Sequence, residues 1–182
     1  MTATTMATNS LELTQDPRAI VAVREFEAPR ELVFDVWSDP KHLAQWWGPH
    51  GFSTTTSRFD MRPGGVWRFV MHGPDGRDYQ NRITYEEVVR PERIVYRHGG
   101  NEDGGGDNVE PVRFTTTVTF DDLGARTRIT MRMDFPSAAE RARVIAEYGA
   151  DKGLVETLAR LEQHVAGMVE NVSGNPKSRS EP

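Results

Sequence analysis

The 182-residue chain sets 22 Lys and Arg against 27 Asp and Glu, a net charge of -5 that repels polyanions and makes nucleic acid a poor partner. It has no cysteine, which removes disulfides, thiolate nucleophiles and cysteine metal sites together. Its apolar runs, such as Ala19 to Val23, fall far short of the roughly 20 residues that span a bilayer, so no membrane insertion is expected.

Met1 to Ser10 is Thr-rich, without a basic region or an apolar stretch; it does not read as a secretory signal, and a cytoplasmic protein is expected. Residues 1–16 and 171–182 are polar and aperiodic, and are expected to be disordered tails around a single domain at 17–170. The sequon at Asn171 to Ser173 falls in the second tail and reads as accidental.

Arg18 to Phe26 alternates around Ile20, Val21 and Val23 as a strand does, and Ala28-Pro29 closes it. Pro29 suits the first position of a helix, where its missing N–H would have no partner in any case. Leu32, Val33, Val36 and Trp37 then recur at helical spacing until Asp39-Pro40, and a second short helix carries Lys41 to Gln45. After Trp46-Trp47-Gly48-Pro49 the chain becomes extended. Six strands are predicted in series: Phe52 to Phe59, Val66 to His72, Tyr79 to Val89, Ile94 to His98, Val112 to Phe120 and Arg126 to Phe135.

Alternation assigns Trp67, Phe69, Met71, Ile83, Tyr85, Phe114, Thr116, Val118, Phe120, Ile129, Met131, Met133 and Phe135 to one face. Arg68, Arg82, Thr115, Thr117, Thr119, Arg128, Thr130 and Arg132 fall on the other. An antiparallel sheet with one covered and one wet face has this pattern. Ser137-Ala138-Ala139-Glu140 is a capping box that starts a helix. Val144, Tyr148, Val155, Leu158, Leu161, Val165 and Met168 give that helix an apolar stripe long enough to cover the sheet. Gly149 and Gly153 interrupt it at about 1 kcal/mol each, which points to a kink or a close approach.

This order, strand, two short helices, six strands and a long helix, resembles the helix-grip fold of the START and pollen-allergen superfamily, also called SRPBCC. From Glu25 to about Val165 the chain is similar to the family named after the C-terminal domain of the activator of the ninety-kilodalton heat-shock ATPase. The resemblance rests on Pro29 with Val33-Phe34 and Trp37, on Asp39-Pro40 and on Trp46-Trp47-Gly48-Pro49. It continues through Arg62-Pro63-Gly64-Gly65 with Trp67, Asp75-Gly76, Pro91-Glu92-Arg93-Ile94-Val95-Tyr96, the strand Thr117-Val118-Thr119-Phe120, and Gly153 with Thr157, Leu158 and Leu161. It implies an α+β fold, a curved antiparallel sheet of about seven strands wrapped around a long C-terminal helix, with an internal pocket for lipids, polyketides or other apolar ligands.

The residues expected to line that pocket are Trp37, Trp46, Trp67, Phe69, Met71, Asn81, Ile83, Tyr85, Tyr96, His98, Phe114, Thr116, Met131, Met133 and Tyr148. Methionines beside aromatics make an adaptable surface. Asn81, Thr116, Tyr96 and His98 are polar groups whose burial in a dry core without partners would cost about 1–3 kcal/mol each. A mostly apolar pocket with a few orienting polar groups is the pattern of a small-molecule site. The tryptophan pair could instead simply plug the end of the sheet, as aromatics at element junctions commonly do.

His98, Tyr96 and Asn81 are the weak candidates for proton transfer, with no partner visible at catalytic spacing. His42 and His50 flank the tryptophan pair without a third ligand at metal-binding spacing, so no metal and no cofactor are expected. Gly99 to Asp107 is glycine-rich and acidic and reads as a hairpin loop. The expected function is therefore binding of a small hydrophobic molecule. The alternatives are an enzyme of the polyketide cyclase or hydrolase kind, and a protein that assists a chaperone ATPase. The last ranks lowest, since the docking domain of the cochaperone resembled does not fit before Arg18. A homodimer through a sheet edge or the tryptophan corner is compatible with the pattern.

Overall fold

The computed structural model describes residues 10–12, 16–99 and 112–173. Their elements follow the chain as β1 (Ser10–Glu12), β2 (Ala19–Phe26), α1 (Arg30–Ser38), α2 (Pro40–Trp46), β3 (Ser53–Phe59), β4 (Val66–His72), β5 (Asp78–Val89), β6 (Arg93–His98), β7 (Phe114–Asp122), β8 (Thr127–Asp134), α3 (Ala138–Tyr148) and α4 (Ala150–Ser173). The strands form one curved antiparallel sheet in the order β1-β2-β8-β7-β6-β5-β4-β3. The seven strands expected from alternation are β2 to β8. The eighth, β1, lies within the segment expected to be a tail and pairs with β2 from Ser10 opposite Val23 to Glu12 opposite Val21. Likewise α4 runs through Asn171 to Ser173, past the expected boundary at 170. All but Gly99 of the Gly99 to Asp107 loop lies outside the described residues.

Local chemistry sets the helix boundaries. Pro29 is the N-cap of α1 instead of its first helical residue, with extended backbone at ψ 151°. Asp39 ends α1 and starts α2: its carboxylate accepts from the Lys41 N–H at 2.8 Å, and Pro40 supplies the preset φ of the first helical residue. At α3 the Ser137 hydroxyl accepts from the Glu140 N–H at 3.1 Å, one half of the expected capping box. The Glu140 carboxylate turns to Arg143 instead.

The long C-terminal helix is α4, and the helix that Ser137 starts is a separate one, α3, which ends before it. Gly149 sits at φ 59° and ψ 40°, a left-handed conformation that ends α3 in the way glycine commonly ends helices. The buried residues of α4 are Leu154, Leu158, Leu161 and Val165, whereas Val155 and Tyr148, predicted on one stripe, are 39% and 42% exposed. Val144, Leu158, Leu161 and Val165 keep the predicted stripe, while Tyr148, the last residue of α3, and Val155, beside Leu154 at the edge of the buried face of α4, fall off it.

The two faces of the sheet are as alternation assigned them. Trp67, Phe69, Ile83, Tyr85, Val118, Phe120, Ile129, Met131, Met133 and Phe135 are buried, and α1, α2 and α4 complete that core with Phe34, Trp37, Trp46 and Leu158. The outer face holds charged pairs. Glu25 is the exception to its solvated expectation, with a side chain 4% exposed between Arg126 and Arg128.

Candidate functional site

Register brings the polar residues of the covered face into line. Tyr85 on β5 stands opposite Tyr96 on β6, which stands opposite Thr116 on β7, which stands opposite Met133 on β8. One row toward the strand ends, Ile83, His98 and Phe114 follow the same path. On β4 and β5, Phe69 pairs with Asn81. The concave face thus carries a polar strip across three neighbouring strands with apolar residues on either side.

Burial divides the strip. Tyr85, Tyr96 and Thr116 are buried, at 3%, 2% and 0% exposure. Met71, Asn81, His98 and Phe114, on the same face, remain partly accessible. Four partly accessible residues therefore adjoin a buried row of three. His98 stacks on Phe114 with centroids 4.8 Å apart and planes within 9°, and Phe135 tilts against Phe114 at 5.1 Å.

The strip is uncharged at neutral pH. Desolvation pushes the Tyr85 phenol well above its usual range, with the neighbouring Tyr96 adding to it. Burial raises Tyr96 as well, against a smaller opposing effect of the Thr116 hydroxyl. His98, stacked on Phe114 and still partly accessible, is pushed down to about 4 by desolvation and is a neutral imidazole near pH 7. The Thr116 Oγ1 is fully buried and, although it borders Tyr96, makes no bond of good hydrogen-bonding geometry among the described residues. Asn81 is more settled: its amide donates to the Tyr79 carbonyl at 2.8 Å.

The tryptophans lie elsewhere in the same core. Trp37, Trp46 and Trp47 contact one another at 4.8 to 6.0 Å, and Trp47 continues the cluster to Trp67 at 4.9 Å. Their polar edges are engaged internally: Trp46 Nε1 donates to the Val36 carbonyl, and Trp67 Nε1 to the Thr56 hydroxyl. Trp37 and Trp46 are packing residues of the α1–α2 corner, and Tyr148 is on the surface, so these three stand apart from the polar strip. Trp67, Phe69 and Ile83 underlie its β4–β5 side, while Met131 and Met133 flank it on β8.

One residue that fixes the turn beside these residues was not foreseen. Arg160 of α4 donates from its guanidinium to the carbonyls of Gln45, Trp47, Gly48, Pro49 and Phe52, at 2.9 to 3.4 Å. It ties α4 to the Trp46-Trp47-Gly48-Pro49 turn. Gly48 has φ 104°, and a Cβ there would come within 3.2 Å of Met71 Cε, so the turn backbone lies directly against Met71. No spacing in the sequence signals an arginine that serves carbonyls more than a hundred residues away.

The family model described as activator of Hsp90 ATPase homolog 1-like protein matches residues 27–166. No curated protein matches the chain. Among solved structures, a protein from Arthrobacter aurescens is similar at 25% identity with a TM-score of 0.79, over 87% of this chain and 91% of that one. A protein from Mycobacterium smegmatis shares the fold at 24% identity and TM-score 0.72, over 94% and 98% of the two chains. So does the AHSA1 protein from Silicibacter pomeroyi, at 21% identity and TM-score 0.65, over 82% and 99%.

Proposed function

The chain belongs to the activator of Hsp90 ATPase homolog 1-like family, and from that premise and the concave face we propose that it binds a small, uncharged, largely apolar molecule between the sheet and α4. One observation carries the reading: the partly accessible mouth of Met71, Asn81, His98 and Phe114 continues into the buried row of Tyr85, Tyr96 and Thr116. The apolar walls supply affinity by area removed from water, and the polar row fixes orientation. The Thr116 hydroxyl has hydrogen-bonding capacity to offer a guest.

The charge state favours binding over proton transfer. With His98 neutral and both phenols held protonated, the strip exchanges no proton readily near pH 7. His98, Tyr96 and Asn81 then orient a ligand instead of acting as acid and base.

The test is uptake of the neutral dye Nile red, read by its fluorescence and by native mass spectrometry of the complex. One dye per chain is expected for the wild type, and none for Phe114→Glu or Met131→Glu, each of which places a charge on the covered face. A folded wild-type chain that takes up neither Nile red nor any neutral aromatic in a panel would end this reading.

A further inference from the structure

His42 and His164 are 122 residues apart in the chain, yet His42 Nδ1 lies 2.9 Å from His164 Nε2 where α2 meets α4. Both rings are half-buried, and they stand at 62° to each other with centroids 5.2 Å apart. Arg160, one helical turn before His164, holds the same seam by donating to the Gln45 and Gly48 carbonyls at the end of α2. The separation of the two nitrogens is therefore set by packed helices and not by a mobile loop, which is the condition for a preorganised site.

A metal ion that replaced the proton shared between the two imidazoles would sit off the line between the two nitrogens, because on that line it would lie about 1.45 Å from each, well inside a metal–nitrogen bond. With metal–nitrogen bonds of about 2.0–2.1 Å, two nitrogens at this distance subtend about 90° at the ion, whereas a tetrahedral angle would set them about 3.3 Å apart. A right angle belongs to tetragonal copper(II), which is also the divalent ion that imidazole sites bind most strongly. We propose that His42 and His164 form a copper(II) site at the α2–α4 seam, with two imidazole nitrogens in neighbouring positions and water in the others.

The surroundings fit an ion held by neutral imidazoles. Three nearby carboxylates are engaged elsewhere: Asp39 caps α2, Glu162 pairs with Arg24, and Glu156 accepts from the His50 N–H. No group of three or more His, Asp or Glu that could hold a metal occurs among the described residues. The site accordingly has two protein ligands and exchanges its ion readily. Once bound, the ion would pin α4 to α2.

The experiment titrates copper(II) chloride into the full chain near neutral pH, followed by electron paramagnetic resonance and by the melting temperature. The first equivalent is expected to give an axial spectrum with nitrogen hyperfine structure and to raise Tm. His42→Gln and His164→Gln, which keep a polar side chain at the seam, are expected to lose both signals, while His50→Ala and His72→Ala keep them. Circular dichroism confirms that each variant is folded. A first equivalent that survives His164→Gln, or one that disappears with His50→Ala, would overturn the assignment, as would a wild type that shows no nitrogen-bound copper.

Discussion

Thr116 stands directly across from Tyr96 in the β6–β7 ladder, and both side chains are buried with the threonine hydroxyl lacking a well-formed bond among the described residues. A buried hydroxyl of this kind costs desolvation without full return. Thr116→Val keeps the shape and removes the oxygen. The urea midpoint is expected to hold or to rise by up to about 1 kcal/mol of stability, while retention of a neutral ligand bearing a hydroxyl or carbonyl group weakens. A loss of stability together with unchanged binding would make Thr116 a structural residue.

Arg160 gives the second expectation. Its five carbonyl contacts order the turn that borders the mouth, and burial lowers the pKa of its guanidinium because no carboxylate offsets the desolvation. A guanidinium spreads five N–H donors over two arms of a rigid plane, whereas an ammonium has three on a single nitrogen. Arg160→Lys is therefore expected to destabilise the fold by roughly 2 kcal/mol in urea unfolding, close to the effect of Arg160→Ala. Full rescue by lysine would mean that charge alone matters.

The strand pattern was legible because a sheet with one covered face writes a period of two into the chain, and Trp67, Phe69, Ile83 and Met131 are buried as that period requires. The turn and cap residues were equally readable, since Asp39 and Ser137 act on neighbours within three residues. Arg160, the Glu25 pair with Arg128, and His42 with His164 were not, because each joins residues about a hundred or more apart. Tyr148 and Val155 were misplaced for local reasons: Tyr148 is the last residue of α3, at the Gly149 cap, and Val155 follows Leu154 at the edge of the face that α4 buries.

The two glycines of this region separate into the two roles foreseen for them. At Gly149 a Cβ would meet nothing within 4 Å, so only its left-handed φ resists substitution, and Gly149→Ala is expected to cost about 1 kcal/mol. At Gly153 the backbone is helical but a Cβ would lie 3.3 Å from Pro49 Cγ. Gly153→Ala gains helix propensity of about 1 kcal/mol and loses part of it to crowding against the turn. Thermal unfolding of both variants checks this: Gly149→Ala should melt lower than Gly153→Ala, and the reverse order would mean that contact with Pro49 dominates.

His98 yields a prediction about pH. Its folded pKa is about 4, below the model-peptide value near 6.5, so the unfolded chain binds more protons wherever the pH lies between the two. Stability then rises with pH across that window. The contribution of the neutral imidazole is complete above about pH 6.5, declines as the pH falls, and is gone below about pH 4. Allowing for the partial exposure of the ring, the loss is on the order of 2 kcal/mol. His98→Gln removes the titrating group, and its urea midpoint should fall less steeply between pH 6.5 and 4 than that of the wild type. Glu25, Glu140 and Asp16, whose pKa values are lowered chiefly by hydrogen bonds from Arg128, Arg143 and the Arg18 backbone, lose their contributions lower in the acid range in both proteins, which leaves the difference between the two curves to His98. Parallel curves for the two proteins would show that the His98 imidazole is no less basic in the folded chain than in the unfolded one, and that it is solvated at the mouth instead of desolvated beside Phe114.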